Sequence, residues 1–144
     1  MIKQESRNPE FKKYTEQKIA GNKFMNYLGF VFSRIEAGFV EGTMDFLEIH
    51  EQQNGWLHGG VTSALLDIVQ GFAAYTLVTA EQQVFTVEAK VSYFNPGTAK
   101  RFFVRGSVAK PGNRFHFCEG EVYYLKEDGV EVIVAKGSST MVIV

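Results

Sequence analysis

Cysteine and net charge are both scarce in this chain. Cys118 is the single cysteine among 144 residues, so no intrachain disulfide can form and nothing points to an oxidising compartment. The formal net charge is −1, with 15 Lys and Arg against 16 Asp and Glu. That balance argues against a general nucleic-acid binder, while leaving room for a small anion held by a local basic patch. The polar, mixed-charge N-terminus carries no apolar signal core. The one long apolar stretch, Leu57 to Val78, contains His, Gln, Asp and three glycines, so it reads as a buried helix and not as a membrane span. A cytoplasmic location is therefore expected. His50, His58 and His116 lack metal-ligand spacing, so no metal is expected. No nucleophile elbow, P-loop or dinucleotide fingerprint is present, and no cofactor is expected.

What remains has an ordinary make-up, 45% hydrophobic and 22% charged. The length predicts one domain over 1–144, with residues 1–23 as an N-terminal helical extension. Pro9 to Ile19 reads as a short amphipathic helix. Leu28 to Ile49 reads as strand, folded into a hairpin around Glu36-Ala37-Gly38. A polar loop, Glu51 to Trp56, contains the turn signal Asn54-Gly55. The central helix follows. Val61, Ala64, Leu65, Ile68, Phe72 and Ala73 form its apolar stripe, and Ser63, Asp67, Gln70, Gly71 and Ala74 a polar or small opposite face. Four strands complete the chain: Val84 to Phe94, Lys100 to Lys110, Arg114 to Leu125 and Val130 to Ile143. In the first of them strict alternation puts Thr86, Glu88, Lys90 and Ser92 on one face, and Phe85, Val87, Ala89, Val91 and Tyr93 on the other. Long strands and one central helix predict an α+β layout, a sheet curled around the helix.

Between Glu51 and Glu81 the only full formal charge belongs to Asp67. A carboxylate in apolar surroundings is costly to bury without partners, so it is a candidate for chemistry. Gly59 and Gly60 stand at the head of the same stretch, where a helix start offers free N–H groups to a developing oxyanion. His58 and Asp67 are nine residues apart, which on a helix means opposite faces and roughly 13 Å. They cannot act on one group within a single chain. If they share a site, a second copy must bring its helix alongside in the opposite sense, giving a two-fold dimer with two equivalent sites.

The run Gln52-Gln53-Asn54-Gly55-Trp56-Leu57-His58-Gly59-Gly60, then Leu65-Leu66-Asp67, then Thr86-Val87-Glu88 through Tyr93-Phe94-Asn95-Pro96, resembles the PaaI-type hotdog-fold acyl-CoA thioesterases. The resemblance covers most of the chain from about Leu28. It implies a homodimer or dimer of dimers that hydrolyses an acyl-CoA, with coenzyme A present only as part of the substrate. Asp67 would be the general base or nucleophile, Gly59 the oxyanion donor, His58 an orienting residue and Thr86 the holder of the attacking water. The amide position six before the histidine, often Asn in this family, is Gln52 here, and Asn54 is a competing candidate. Gly60 and Asn54 would serve substrate binding. Arg114, among the late-strand basic residues, is a candidate for the coenzyme phosphates. A non-catalytic acyl-CoA sensor on the same fold is the alternative, and a related hydratase or dehydratase fits less well. The acyl group, and coenzyme A against an acyl-carrier protein, stay open.

Overall fold

In the computed structural model, which describes residues 3–144, two short helices lead the chain, α1 (Phe11–Ala20) and α2 (Lys23–Leu28). The first matches the amphipathic helix expected near Pro9 to Ile19. The second was not legible, because six residues are too few to show a period. Its ends are nonetheless well marked: the Asn22 side chain accepts from the Met25 N–H at 3.0 Å, and Gly29 closes it at φ 78°. Met1 and Ile2, part of the extension expected over 1–23, lie outside the described residues.

Strands β1 (Phe30–Glu36) and β2 (Phe39–Asp45) make the expected hairpin, turned at Gly38. A 3₁₀ turn, Glu48–His50, takes the end of the segment expected to continue as strand to Ile49. Then come α3 (Gly59–Tyr75), β3 (Val84–Tyr93), β4 (Arg101–Lys110), β5 (Phe115–Leu125) and β6 (Glu131–Ile143). The six strands form one antiparallel sheet in the order β1-β2-β4-β5-β6-β3, so β3 is an edge. Helix α3 packs against this sheet, the expected α+β layout.

Leu65, Leu66, Val69 and Ala73 of α3 are fully buried against Val40, Met44, Phe102, Val104, Val122 and Met141 of the sheet. Each large side chain removed from water in this way contributes about 1.5–3 kcal/mol. Gly106, Gly120 and Gly137 lie side by side across β4, β5 and β6, beneath the helix. A Cβ on Gly106 would come within 2.6 Å of the Val69 backbone, so the row lets α3 settle close to the sheet. One expectation fails here. Gln70 and Ala74, assigned to the small or polar outer face, are buried. Space above the glycine row admits the Gln70 side chain, which is satisfied there: Ser139 Oγ donates to its Oε1 at 2.6 Å, and its Nε2 donates to the Leu66 carbonyl at 3.0 Å.

The strict alternation expected in β3 also fails. Thr86 pairs with Met141, but Glu88 pairs with the next residue, Thr140, leaving Val87 as a bulge. The bulge shifts the face by one residue. Thr86 therefore shares the helix side with Ala89, Val91 and Tyr93, while Glu88 faces away and accepts from Thr140 Oγ1 at 2.8 Å.

Candidate functional site

His58 stands in extended conformation (φ −64°, ψ 135°) just before α3. Its Nδ1 accepts from the Gly60 N–H at 2.8 Å, so the ring proton sits on Nε2. The His58 N–H donates to the His50 carbonyl at 2.8 Å, and the Val61 N–H to the His58 carbonyl at 3.0 Å. A helix start leaves four amides without helical acceptors, and three are thus satisfied. The Gly59 N–H alone has no acceptor among the described residues. The two glycines therefore differ: the Gly60 N–H is spent on the cap, and the Gly59 N–H is free to donate.

The loop before the helix is closed by its own backbone. Gln52 N–H donates to the Trp56 carbonyl at 2.8 Å, and Gly55, at φ 81°, donates to the Gln52 carbonyl at 3.0 Å. Gln52 Oε1 accepts the Asn54 N–H, which leaves its Nε2 as a free donor. Gln52, Trp56, Gly59, Thr62, Tyr93 and Asn95 line a cavity of about 340 Å³ at the helix start. Asn54 is exposed on the turn and is not among the lining residues.

Asp67 lies on α3 more than two turns from Gly59. The sequence placed this carboxylate within a buried stretch, but in a single chain it is exposed. It looks outward beside the edge strand, where Thr86 Oγ1 donates to its Oδ1 at 2.7 Å. Asp67 and Thr86 are therefore together, and His58, Gly59, Gly60 and Gln52 are together, but the two groups occupy opposite ends of β3.

Arg114 joins neither group. It precedes β5, where its carbonyl accepts from Ile143 N–H at 2.8 Å and its guanidinium lies over the Phe115 ring. Ile143 pairs with Val84, so Arg114 belongs to the Asp67 end of β3. Two other late-strand arginines are committed elsewhere: Arg101 pairs with Asp45 at 2.6 Å, and Arg105 with Glu121 and Glu131 at 2.6 and 3.1 Å. No three His, Cys, Asp or Glu side chains converge as a metal site among the described residues.

Three residues around the site escaped the sequence reading. His50 is fully buried, its Nδ1 accepts from the Leu47 N–H at 3.0 Å, and its carbonyl anchors His58. Burial pushes its pKa down, against a smaller opposing effect of the Leu28 backbone. Tyr93 and Ser63 meet over the first turn of α3. No spacing rule links a strand end to a helix start thirty residues earlier, so neither could be found by pattern.

Comparison with known proteins identifies the class. The family model described as the thioesterase superfamily matches residues 54–132, more than half of the chain. A thioesterase family protein from Silicibacter pomeroyi matches in structure with a TM-score of 0.89 and 32% identity, over 93% of this chain and 98% of that one. A Saccharolobus solfataricus protein bearing the name of an esterase is 28% identical over 121 residues, 84% of this chain and 77% of its own length. The PaaI protein of E. coli, from the phenylacetic acid degradation operon, shares the fold at a TM-score of 0.83, with 15% identity and 96% of each chain covered. The chain belongs to the thioesterase superfamily, with the hotdog fold of its PaaI-type members, and its reaction class is thioester hydrolysis.

Proposed function

We propose that this protein hydrolyses an acyl-CoA to the free acid and coenzyme A, in sites that a second copy of the chain completes. The observation that carries the reading is the division of labour along β3. Its start holds Thr86 against Asp67, and its end holds Tyr93 against Gly59. This same strand is an unpaired edge on which Phe85 and Val87 are each 58% exposed. Antiparallel pairing of two such edges would set the Asp67 end of one chain beside the Gly59 end of the other, twice, about a two-fold axis. A homodimer follows, or a dimer of such dimers.

In each site the thioester carbonyl would accept from the Gly59 N–H of one chain, with Gln52 Nε2 as a second donor. Thr86 Oγ1 donates to one oxygen of Asp67. The other carboxylate oxygen, and the lone pairs of the Thr86 hydroxyl, would orient a water on the opposite side of the carbonyl. Asp67 takes a proton from that water as it attacks the carbonyl carbon, and the negative charge collects on the carbonyl oxygen at Gly59. Collapse breaks the C–S bond, and the proton returns to the departing thiolate. His58 holds Gly60 and so fixes the turn on which Gly59 sits. Arg114, at the Asp67 end of β3, would reach the mouth of the partner's cavity in this pairing, where the coenzyme phosphates would lie. The choice of coenzyme A as carrier, and of the cytoplasm as workplace, follows the PaaI-type resemblance.

The test is free-thiol release from a panel of acyl-CoAs by wild type and Asp67→Asn. Turnover of at least one acyl-CoA, reduced at least about a hundredfold in the variant with the oligomer intact, supports the reading. Binding of acyl-CoA by wild type without turnover would make the protein a sensor.

A further inference from the structure

Resting on the thioesterase reading, we infer that Tyr93 is a positioning residue that clamps the oxyanion glycine, acting through Gly59 and not on the substrate. Tyr93 is the last residue of β3, registered there by pairing with Ala135. The next residue, Phe94, continues the tie through its N–H to the Val134 carbonyl at 2.8 Å. From this fixed point the ring reaches over the start of α3. Its hydroxyl donates to the Gly59 carbonyl at 2.9 Å. With that proton committed, the 2.6 Å contact to Ser63 has the serine hydroxyl donating to Tyr93 Oη.

The peptide joining Gly59 to Gly60 is consequently held at both ends. Tyr93 holds its C=O, and His58 Nδ1 holds its N–H. The ring also closes the side of Gly59: a Cβ there would stand 3.5–3.6 Å from the Tyr93 ring and hydroxyl. Two successive glycines at a helix start are the most permissive backbone available, and helix ends fray. An oxyanion donor is effective only when its direction is set before the reaction. The free N–H of Gly59 lies in the preceding His58–Gly59 peptide, whose carbonyl accepts from the Val61 N–H at 3.0 Å. Tyr93 adds the constraint on the far side of the Gly59 Cα, about which that plane would otherwise turn.

Two features separate this from ordinary packing. Tyr93 is 53% exposed in the single chain, so its ring adds little to the core. It also stands at the cavity beside Gly59, Gln52 and Trp56 with its hydroxyl already committed to the Gly59 carbonyl and to Ser63.

The experiment compares Tyr93→Phe and Ser63→Ala with wild type in three readouts: kcat and KM on the best thioester of the panel, thermal midpoint, and the amide resonances of Gly59 and Gly60. Tyr93→Phe keeps the ring and removes only the clamp. The expected result is a kcat lowered about tenfold or more with KM within about twofold, since small misplacement of a catalytic group is expensive in rate. Its thermal midpoint should stay near that of wild type, and the Gly60 amide proton should move upfield with faster exchange. Ser63→Ala leaves the bond to Gly59 in place and should act in the same direction but more weakly. A wild-type kcat in Tyr93→Phe, or a loss that follows the fraction of unfolded protein, overturns the proposal. Unchanged Gly59 and Gly60 resonances in that variant overturn the clamp itself. Failure of wild type to turn over any thioester overturns the thioesterase reading instead, and the resonances still decide whether the clamp exists.

Discussion

Thr86 Oγ1 donates to Asp67 Oδ1 at 2.7 Å, joining the start of an edge strand to the middle of a helix 19 residues earlier. The bond exists because β3 bulges at Val87, which puts Thr86 on the helix side while Glu88 faces away. Thr86→Val keeps the shape and the β-branch but removes the hydroxyl. It should lower kcat roughly 10- to 100-fold, no more than the lower end of the roughly 10²–10⁴-fold of acid–base assistance because the Asp67 carboxylate remains, while Thr86→Ser should retain most activity. Steady-state thiol release on both variants checks this.

Gly59→Pro deletes one N–H and little else. Proline suits the first helical position, His58 before it already has the extended backbone that proline requires, and a Cβ at Gly59 meets Tyr93 at ordinary contact distance. The variant should fold, and should lose about 10²- to 10³-fold in kcat as one oxyanion donor disappears. Gly59→Ala, which keeps the N–H, should remain near wild type. Circular dichroism alongside the kinetics separates folding from catalysis.

Gly106→Ala tests the glycine row. The new Cβ would meet backbone atoms of Val69 at 2.6 Å, and backbone cannot swing aside as a side chain can. A loss of about 1–3 kcal/mol in unfolding free energy is expected, as for other overpacked cores. Urea titration with an unchanged m-value would show it.

Acid should weaken the fold before it protonates most carboxylates. Burial lowers the pKa of His50, and burial with the nearby Arg7 charge lowers that of His116 to about 4. Unfolded histidines bind protons from about pH 6.5 downward, while His116 stays neutral until about pH 4 and His50 protonates below its ordinary value. The unfolded state therefore holds more protons, and stability falls as pH drops from about 6.5 toward 4. His116→Gln should flatten that slope in thermal melts measured across the window.

The order of α1, α3 and the six strands was legible from local signals, among them helical spacing for α1, alternation in β3, the turn Asn54-Gly55 and the apolar run of α3; α2 was too short to carry one. Asp67, Gly59 and His58 were legible as the lone charge, the paired glycines and the residue before them. The misreadings share one cause, which is that tertiary partners settle what local pattern cannot. Gln70 is buried because glycines on three distant strands make room for it and Ser139 satisfies it. Thr86 turns inward because of a one-residue shift in pairing with β6. Tyr93 matters through a bond to Gly59, 34 residues away. Asn54 competed with Gln52 for the amide role in the sequence; in the fold its N–H donates to Gln52 Oε1, and only Gln52 of the two lines the cavity.

The shared site is tested most directly by complementation. Asp67→Asn and Gly59→Pro chains, each inactive alone, are unfolded together, refolded as a mixture and assayed for thiol release. If each site takes Gly59 from one chain and Asp67 from the other, half of the dimers are mixed and each holds one intact site. Activity should then return to about a quarter of wild type, by the symmetry of the dimer. Activity that stays at the sum of the two inactive parents would contradict the shared site.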